Sequence, residues 1–247
     1  MCAARGGNSV GGMTHETRTA VVTGASAGLG LALAERLAAD GWRLILTARG
    51  EARLKEAADR LGAEYLTGDL AYDPEHRVRL IALADGRIDL LVNNASTLGE
   101  VPLPTLADAD LARLPEVFEL NMRAPLHLVQ LALPSLRERG GAVVNISSDA
   151  ATGPYATWGV YGASKAALDQ LSNVLAAEEP AVRVWAVDPG EMRTQMLADA
   201  VGEADAAEAG DPADAAAAIA RLVEARPDSG RYEAKAFRDR SKEGAGE

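Results

Sequence analysis

Thr19-Ala20-Val21-Val22-Thr23-Gly24-Ala25-Ser26-Ala27-Gly28-Leu29-Gly30-Leu31-Ala32-Leu33-Ala34-Glu35-Arg36-Leu37-Ala38 decides the fold. It opens on a short apolar run and passes through glycines spaced Gly-x-x-x-Gly-x-Gly. It then continues with leucines at helical spacing. A strand, a glycine turn and a helix N-terminus in that order form an anion site. The free N–H groups of the first helical turn point at the anion, and the helix dipole favours negative charge. Gly24 permits the tight turn, Gly28 lets the backbone approach a pyrophosphate, and Gly30 allows close helix–strand packing. Ser26 and Leu29 stand in the same turn, where they can meet the ligand.

Working outward, short apolar runs alternate with amphipathic stretches. Strands are expected at 19–22, 43–47, 64–67, 89–92, 142–146, 182–187 and 231–233. The alternation predicts an α/β fold, a doubly wound parallel sheet of about seven strands with helices on both faces. The longest helices fall around 108–137 and 159–177, and Pro115, Pro125 and Pro134 break or kink the first. Residues 17–236 read as one domain, with a small substrate cap near 192–210. The charges of the acidic, Ala-rich run 198–214 read as a solvated face.

A second motif lies in the 159–177 helix. Tyr161 and Lys165 are four residues apart in Tyr161-Gly162-Ala163-Ser164-Lys165, with Ser148 thirteen residues upstream. A four-residue step on a helix advances about 6 Å and returns to nearly the same face. The ammonium can therefore lie beside the phenol and lower a pKa that starts near ~10. A tyrosine so placed can pass a proton to or from a substrate oxygen near neutral pH.

With both motifs in place, the chain resembles the short-chain dehydrogenase/reductase family, in its main oxidoreductase branch of about 250 residues. The likeness runs from about residue 17 to residue 236, with the motifs in family order. Thr23-Gly24-x-x-x-Gly28-x-Gly30 is similar to the cofactor turn, and Asp69-Leu70 to the adenine-contacting acid and its neighbour. Asn93-Asn94-Ala95 is similar to the element that closes the fourth strand, with Asn93 toward the cofactor. The resemblance implies a catalytic tetrad of Asn121, Ser148, Tyr161 and Lys165. Ser148 holds the carbonyl oxygen, Tyr161 is the acid/base, and Lys165 lowers the tyrosine pKa and binds the nicotinamide ribose. Asn121 holds a water that links Lys165 to solvent. Asp188-Pro189-Gly190 with Met192 and Thr194 is similar to the loop that holds the nicotinamide amide. The pocket is expected to be lined by Asp149, Tyr155, Trp158 and Met196. Two departures stand out: Ser96 replaces the family's glycine after Asn-Asn-Ala, and Ser229-Gly230-Arg231-Tyr232-Glu233 replaces a closing Asp-Gly-Gly.

The resemblance implies ketone/alcohol interconversion with a nicotinamide dinucleotide. NADPH is expected over NADH, because Ala48 stands where NAD-selective sites place an acid, about 20 residues past the glycines. Arg49 follows it, where a guanidinium can take the 2′-phosphate. Ala27 stands where many NADP-preferring relatives carry a second basic residue. The alternative is a catalytically silent relative that binds the dinucleotide for structure or sensing; an intact tetrad favours the enzyme. The family's pairing of the two long helices across a two-fold axis implies a homodimer or homotetramer.

Composition bounds the partners. The net charge of −11 argues against a nucleic-acid surface, and no run approaches the ~18 apolar residues of a membrane span. A single cysteine, Cys2, excludes an internal disulfide and suits the cytoplasm. No His, Cys or carboxylate spacing suggests a metal, and His15, His76 and His127 read as structural or solvent-facing. Residues 1–16, glycine-rich and without an apolar core, are expected to be a disordered leader in which Met13 is an alternative start. Residues 237–247 are expected to fray.

Overall fold

The computed structural model describes residues 17–239. The expected leader, with Cys2, Met13 and His15, and the tail from residue 240 onward lie outside them. Seven strands form one parallel sheet: β1 (Thr19–Thr23), β2 (Arg43–Ala48), β3 (Glu64–Thr67), β4 (Leu90–Asn93), β5 (Ala142–Ile146), β6 (Arg183–Asp188) and β7 (Gly230–Glu233). Every strand overlaps its expected span. Their order is β3-β2-β1-β4-β5-β6-β7, so the chain reverses its direction of winding between β1 and β4. In such sheets the crevice at that switch, at the carboxyl ends of the strands, takes the ligand.

Helices cover both faces because both faces of each central strand are apolar. On β1, Ala20 and Val22 face one layer and Val21 the other. The first layer holds α1 (Gly28–Ala39) and α9 (Pro212–Ala225), which meet through Leu33, Leu37, Ile219 and Leu222. The second holds α3 (Pro74–Ala82) and α5 (Ala124–Arg139), packed through Leu80, Leu128 and Leu136. α2 (Glu51–Leu61) follows β2, and α6 (Gly159–Glu178) carries Tyr161 and Lys165. The small helices α7 (Gln195–Val201) and α8 (Glu203–Ala207) lie in the 192–210 stretch, where a cap is expected. The base of that stretch is closed where Arg193 N donates to Gly210 O at 2.8 Å. Among the described residues no helix is long and apolar enough to cross a membrane.

The 108–137 stretch is broken, as its prolines suggest. Helix α4 (Leu114–Phe118) begins with Pro115 in its first turn, and residues Glu119–Arg123 form a π-type turn before α5. Pro125 has no N–H to offer the carbonyl four residues back, which is that of Asn121. The ladder widens there instead: Ala124 N donates to Glu119 O. Pro134 sits inside α5 without ending it. At the C-terminus Phe237 is held rather than free, its carbonyl accepting from Arg221 Nε at 2.5 Å and its ring meeting Tyr232 edge-on at 5.6 Å.

Candidate active site

A cleft of about 560 Å³ opens over the carboxyl ends of the strands, between the glycine turn and the cap. The turn is shaped for close approach. Gly24 and Gly28 have φ of +67° and +55°, a region costly for any other residue. A Cβ on Gly30 would collide with Gly24 O and Asn94 Nδ2, so helix α1 starts hard against the turn. Asn94 laces that turn to β4: its Nδ2 donates to Thr23 O at 2.8 Å and its N–H to Thr23 Oγ1 at 2.9 Å. Asn93, expected to face the cofactor, lies behind the wall instead. It is buried and donates to Asn145 Oδ1 at 2.7 Å, because alternate residues of a strand point to opposite faces.

Ser26, Gly28 and Leu29 line one end of the cleft together with Arg49, Asp69 and Leu70. One carboxylate oxygen of Asp69 accepts N–H groups of Ala71 at 2.7 Å and Tyr72 at 3.3 Å, and so fixes its own loop. Arg49 is exposed at the rim and is joined by Arg53 from the first turn of α2. No ion pair or side-chain hydrogen bond ties either arginine among the described residues. Arg53 was not singled out from sequence: Arg49 lies before the extended Gly50 that caps α2, so the four-residue spacing carries no helical relation between them.

The opposite end gathers Ser148, Tyr161 and Lys165. Ser148 ends the loop after β5, where its Oγ accepts from Ala150 N and donates to Asp149 Oδ1, both at 3.1 Å. Tyr161 is buried, with Trp158 edge-on at 5.7 Å. Lys165 donates to Ile146 O at 2.7 Å and stands 5.6 Å from the Tyr161 ring centroid. The expected depression of the tyrosine pKa does not appear. Burial pushes the phenol up to about 12, against the hydroxyls of Ser148 and Ser96, which favour phenolate. Burial also pulls Lys165 down to about 8, opposed by Asp169. For Tyr161 desolvation outweighs these hydroxyls, and a phenol so raised is a neutral proton donor at pH 7.

Asn121 does not line the cleft. Its amide is saturated: Oδ1 accepts from Ser96 Oγ at 3.1 Å and Thr97 N at 2.9 Å, and Nδ2 donates to Thr97 O and Ser164 Oγ, both at 2.9 Å. It therefore ties the loop after β4 to the helix of Tyr161. Ser96, the departure from the family glycine, reaches both Asn121 and the phenol.

Pro189, Gly190, Met192 and Thr194 form the wall between the two ends. Asp188 Oδ1 accepts Gly190 N at 2.9 Å, and Thr194 Oγ1 caps α7 by accepting Leu197 N at 3.3 Å. On the outer side lie Asp149, Tyr155, Trp158 and Met196. Trp158 and Met196 pack with Tyr161 and Leu98 in one apolar cluster, while Tyr155 is half exposed. A hydrogen bond to Asp149 raises the Tyr155 phenol pKa.

A family model for short chain dehydrogenases matches residues 18–204. The chain belongs to that family. Sepiapterin reductase of Mus musculus is 39% identical over 196 residues, covering 71% of this chain and 75% of the relative. Serine 3-dehydrogenase of Agrobacterium fabrum is 37% identical over 185 residues, covering 72% of this chain and 73% of the relative. An alcohol dehydrogenase of the archaeon Thermococcus sibiricus, solved with 5-hydroxy-NADP, has 27% identity and a TM-score of 0.79. That likeness covers 88% of this chain and 96% of the other. As a short chain dehydrogenase this is an oxidoreductase acting on a CH–OH/C=O pair with a nicotinamide cofactor. The described residues fit such a cofactor: a glycine cradle that a Cβ would fill, and two uncommitted guanidiniums at the far rim.

Proposed function

We propose that this short chain dehydrogenase is an NADPH-dependent carbonyl reductase of small ketones, working reversibly on the corresponding alcohols. The observation that carries the reading is the meeting of a buried, neutral Tyr161 with Ser148 and Lys165 at one end of the cleft, opposite the Arg49–Arg53 rim. The dinucleotide supplies the hydride when bound. Ser148 turns its hydroxyl from Asp149 toward the carbonyl oxygen and fixes it. Tyr161 delivers its proton to the same oxygen. Lys165 keeps two ammonium donors beyond the one given to Ile146 O, and these take the ribose hydroxyls. Asn121 serves through its main-chain carbonyl, since its side chain has no capacity left; that carbonyl, which receives no N–H from Pro125, is where a relay water binds. Gly24, Gly28 and Gly30 seat the pyrophosphate, Asp69 and Leu70 flank the adenine, and Pro189 to Thr194 face the nicotinamide amide. Trp158, Met196, Tyr155 and Asp149 bound the substrate. NADPH is preferred because Arg49 and Arg53 can take the 2′-phosphate and Ala48 offers no carboxylate to repel it. The protein works as a homodimer or homotetramer in the cytoplasm.

Tyr161→Phe tests the reading. It keeps the ring and removes the proton, so kcat with NADPH across a panel of ketones falls by about 10²–10⁴ while NADPH affinity stays nearly constant. Retention of more than about a tenth of wild-type kcat overturns the role of Tyr161.

A further inference from the structure

Arg231 lies on β7, paired with Ala186 of β6. Its guanidinium passes behind the reacting end of the cleft and meets three elements at once. Nε donates to Asp169 Oδ2 at 3.0 Å and Nη2 donates to the carbonyl oxygen of Ser148 at 3.0 Å. Asp188 Oδ2 is 3.7 Å from the same Nη2. Asp169 belongs to α6, one turn beyond Lys165, and is buried; its second oxygen, Oδ1, has no hydrogen-bond partner among the described residues. Asp188 ends β6 immediately before Pro189 and Gly190. The three acceptors thus sit on the helix of Tyr161 and Lys165, on Ser148 itself, and on the wall beside the nicotinamide site. Only a planar guanidinium, with donors in a fixed fork, reaches such a set from one side chain. Little of the pair is exposed, 27% of the Arg231 side chain and 12% of Asp169, so salt screens it weakly.

We propose that Arg231 and Asp169 form a positioning pair behind the reacting groups, Arg231 fixing the main chain of Ser148 and Asp169 sustaining the charge of Lys165. The proposal rests on the roles of Ser148, Tyr161 and Lys165 given above. Lys165 is faced by Tyr161 and Asp169 on its own helix and by the Ile146 carbonyl at the end of β5. Arg231 of β7 stands behind Asp169, and Asp149 and Asp188 act on the neighbouring Tyr161. Of these, Asp169 is the group that holds the Lys165 pKa up against burial. Arg231 in turn offsets the field of Asp169. Removing the two partners therefore moves Lys165 in opposite directions. Without Asp169, burial acts unopposed and the pKa falls. Without Arg231, the carboxylate acts on Lys165 alone and the pKa rises.

The chain has four lysines, Lys55, Lys165, Lys235 and Lys242, so ¹³C-lysine spectra of the full-length protein are simple to assign, with Lys165→Met marking the signal of interest. Titration of wild type, Asp169→Asn and Arg231→Gln gives a Lys165 midpoint that shifts down in the first variant and up in the second. Midpoints that stay put, or shift together, refute the pair; general loosening of the fold produces no opposite shifts. If Arg231→Gln does not fold, the downward shift in Asp169→Asn decides. Arg231→Lys separates charge from fork: it restores the wild-type midpoint but leaves kcat lowered by about tenfold to a hundredfold, the scale of a misplaced reacting group. Full recovery of kcat in Arg231→Lys removes the positioning of Ser148 from the proposal. The titration needs no turnover, so a wild type that reduces no carbonyl fails the functional reading and leaves the pair to be judged by its midpoints.

Discussion

Arg49 and Arg53 are the two surface residues on which the proposed preference for NADPH rests. Both face the rim beside the glycine turn, and neither has a carboxylate partner among the described residues. A guanidinium already committed to an ion pair must give up that partner to bind a phosphate; these two need not. A partly exposed phosphate–arginine contact is worth ~1.5–3 kcal/mol, or roughly 10- to 100-fold. Arg49→Ala is therefore expected to raise the KM for NADPH by about that factor and to leave NADH nearly untouched. Arg53→Ala is expected to act in the same direction and more weakly, since it stands further along the chain, in the first turn of α2. Steady-state kinetics with both cofactors measure this, and a wild type that favours NADH contradicts it. Arg49 was legible from sequence by position alone. Arg53 lay beyond it, in a helix whose orientation follows only from packing.

Among the elements, α6 carries the greatest chemical demand. Its Gly162 stands between Tyr161 and the rest of the motif, and a Cβ there would collide with Ala150 O in the turn that follows Ser148. Glycine is thus what lets the tyrosine helix approach the serine loop. Gly162→Ala forces the two apart, at about 1–3 kcal/mol for an overpacked contact. A displacement of about 1 Å at reacting atoms costs up to ~10²-fold in rate. The variant is expected to melt earlier and to lose kcat; unchanged melting and turnover would show that this approach does not set the Ser148–Tyr161 spacing. The π-type turn at Glu119–Arg123 tells the complementary story. Its prolines announced a break in the sequence, but not its form. That form depends on the amide of Asn121 being captured by Thr97 and Ser164, 24 and 43 residues away.

At the scale of the whole molecule, two properties are open to measurement. The first is acid stability. His76 is buried against Gly68, and its tautomer follows from its neighbours. Thr47 Oγ1 donates to Leu66 O at 2.7 Å, so it must accept from His76 Nε2–H at 2.8 Å. Nδ1 is then a bare, buried lone pair with no partner among the described residues. Protonating it would bury a charge without an acceptor, and its pKa is accordingly lowered by desolvation. The unfolded chain takes up this proton near pH 6.5 while the folded chain refuses it, so stability is lost as pH falls through about 6.5. Melting curves between pH 7.5 and 5.5 are expected to show that loss in the wild type and a flatter dependence in His76→Gln; parallel slopes in the two proteins rule it out. The second property is assembly, proposed here through α5 and α6. Light scattering at micromolar concentration is expected to exceed the 25.7 kDa of one chain, and a strictly monomeric mass refutes the proposal.

The strands, the glycine turn and the Tyr-x-x-x-Lys step could be read from sequence because each rests on local physics. Apolar runs must be buried, left-handed turns require glycine, and helical spacing brings residues four apart together. What stayed hidden depends on burial or on distant partners. The side to which Asn93 points, the saturation of the Asn121 amide and the reach of Arg231 to Ser148 across 83 residues are set by the packed sheet. The pKa of Tyr161 belongs with them: spacing places a lysine beside it, but the removal of water that raises it is a property of the folded whole.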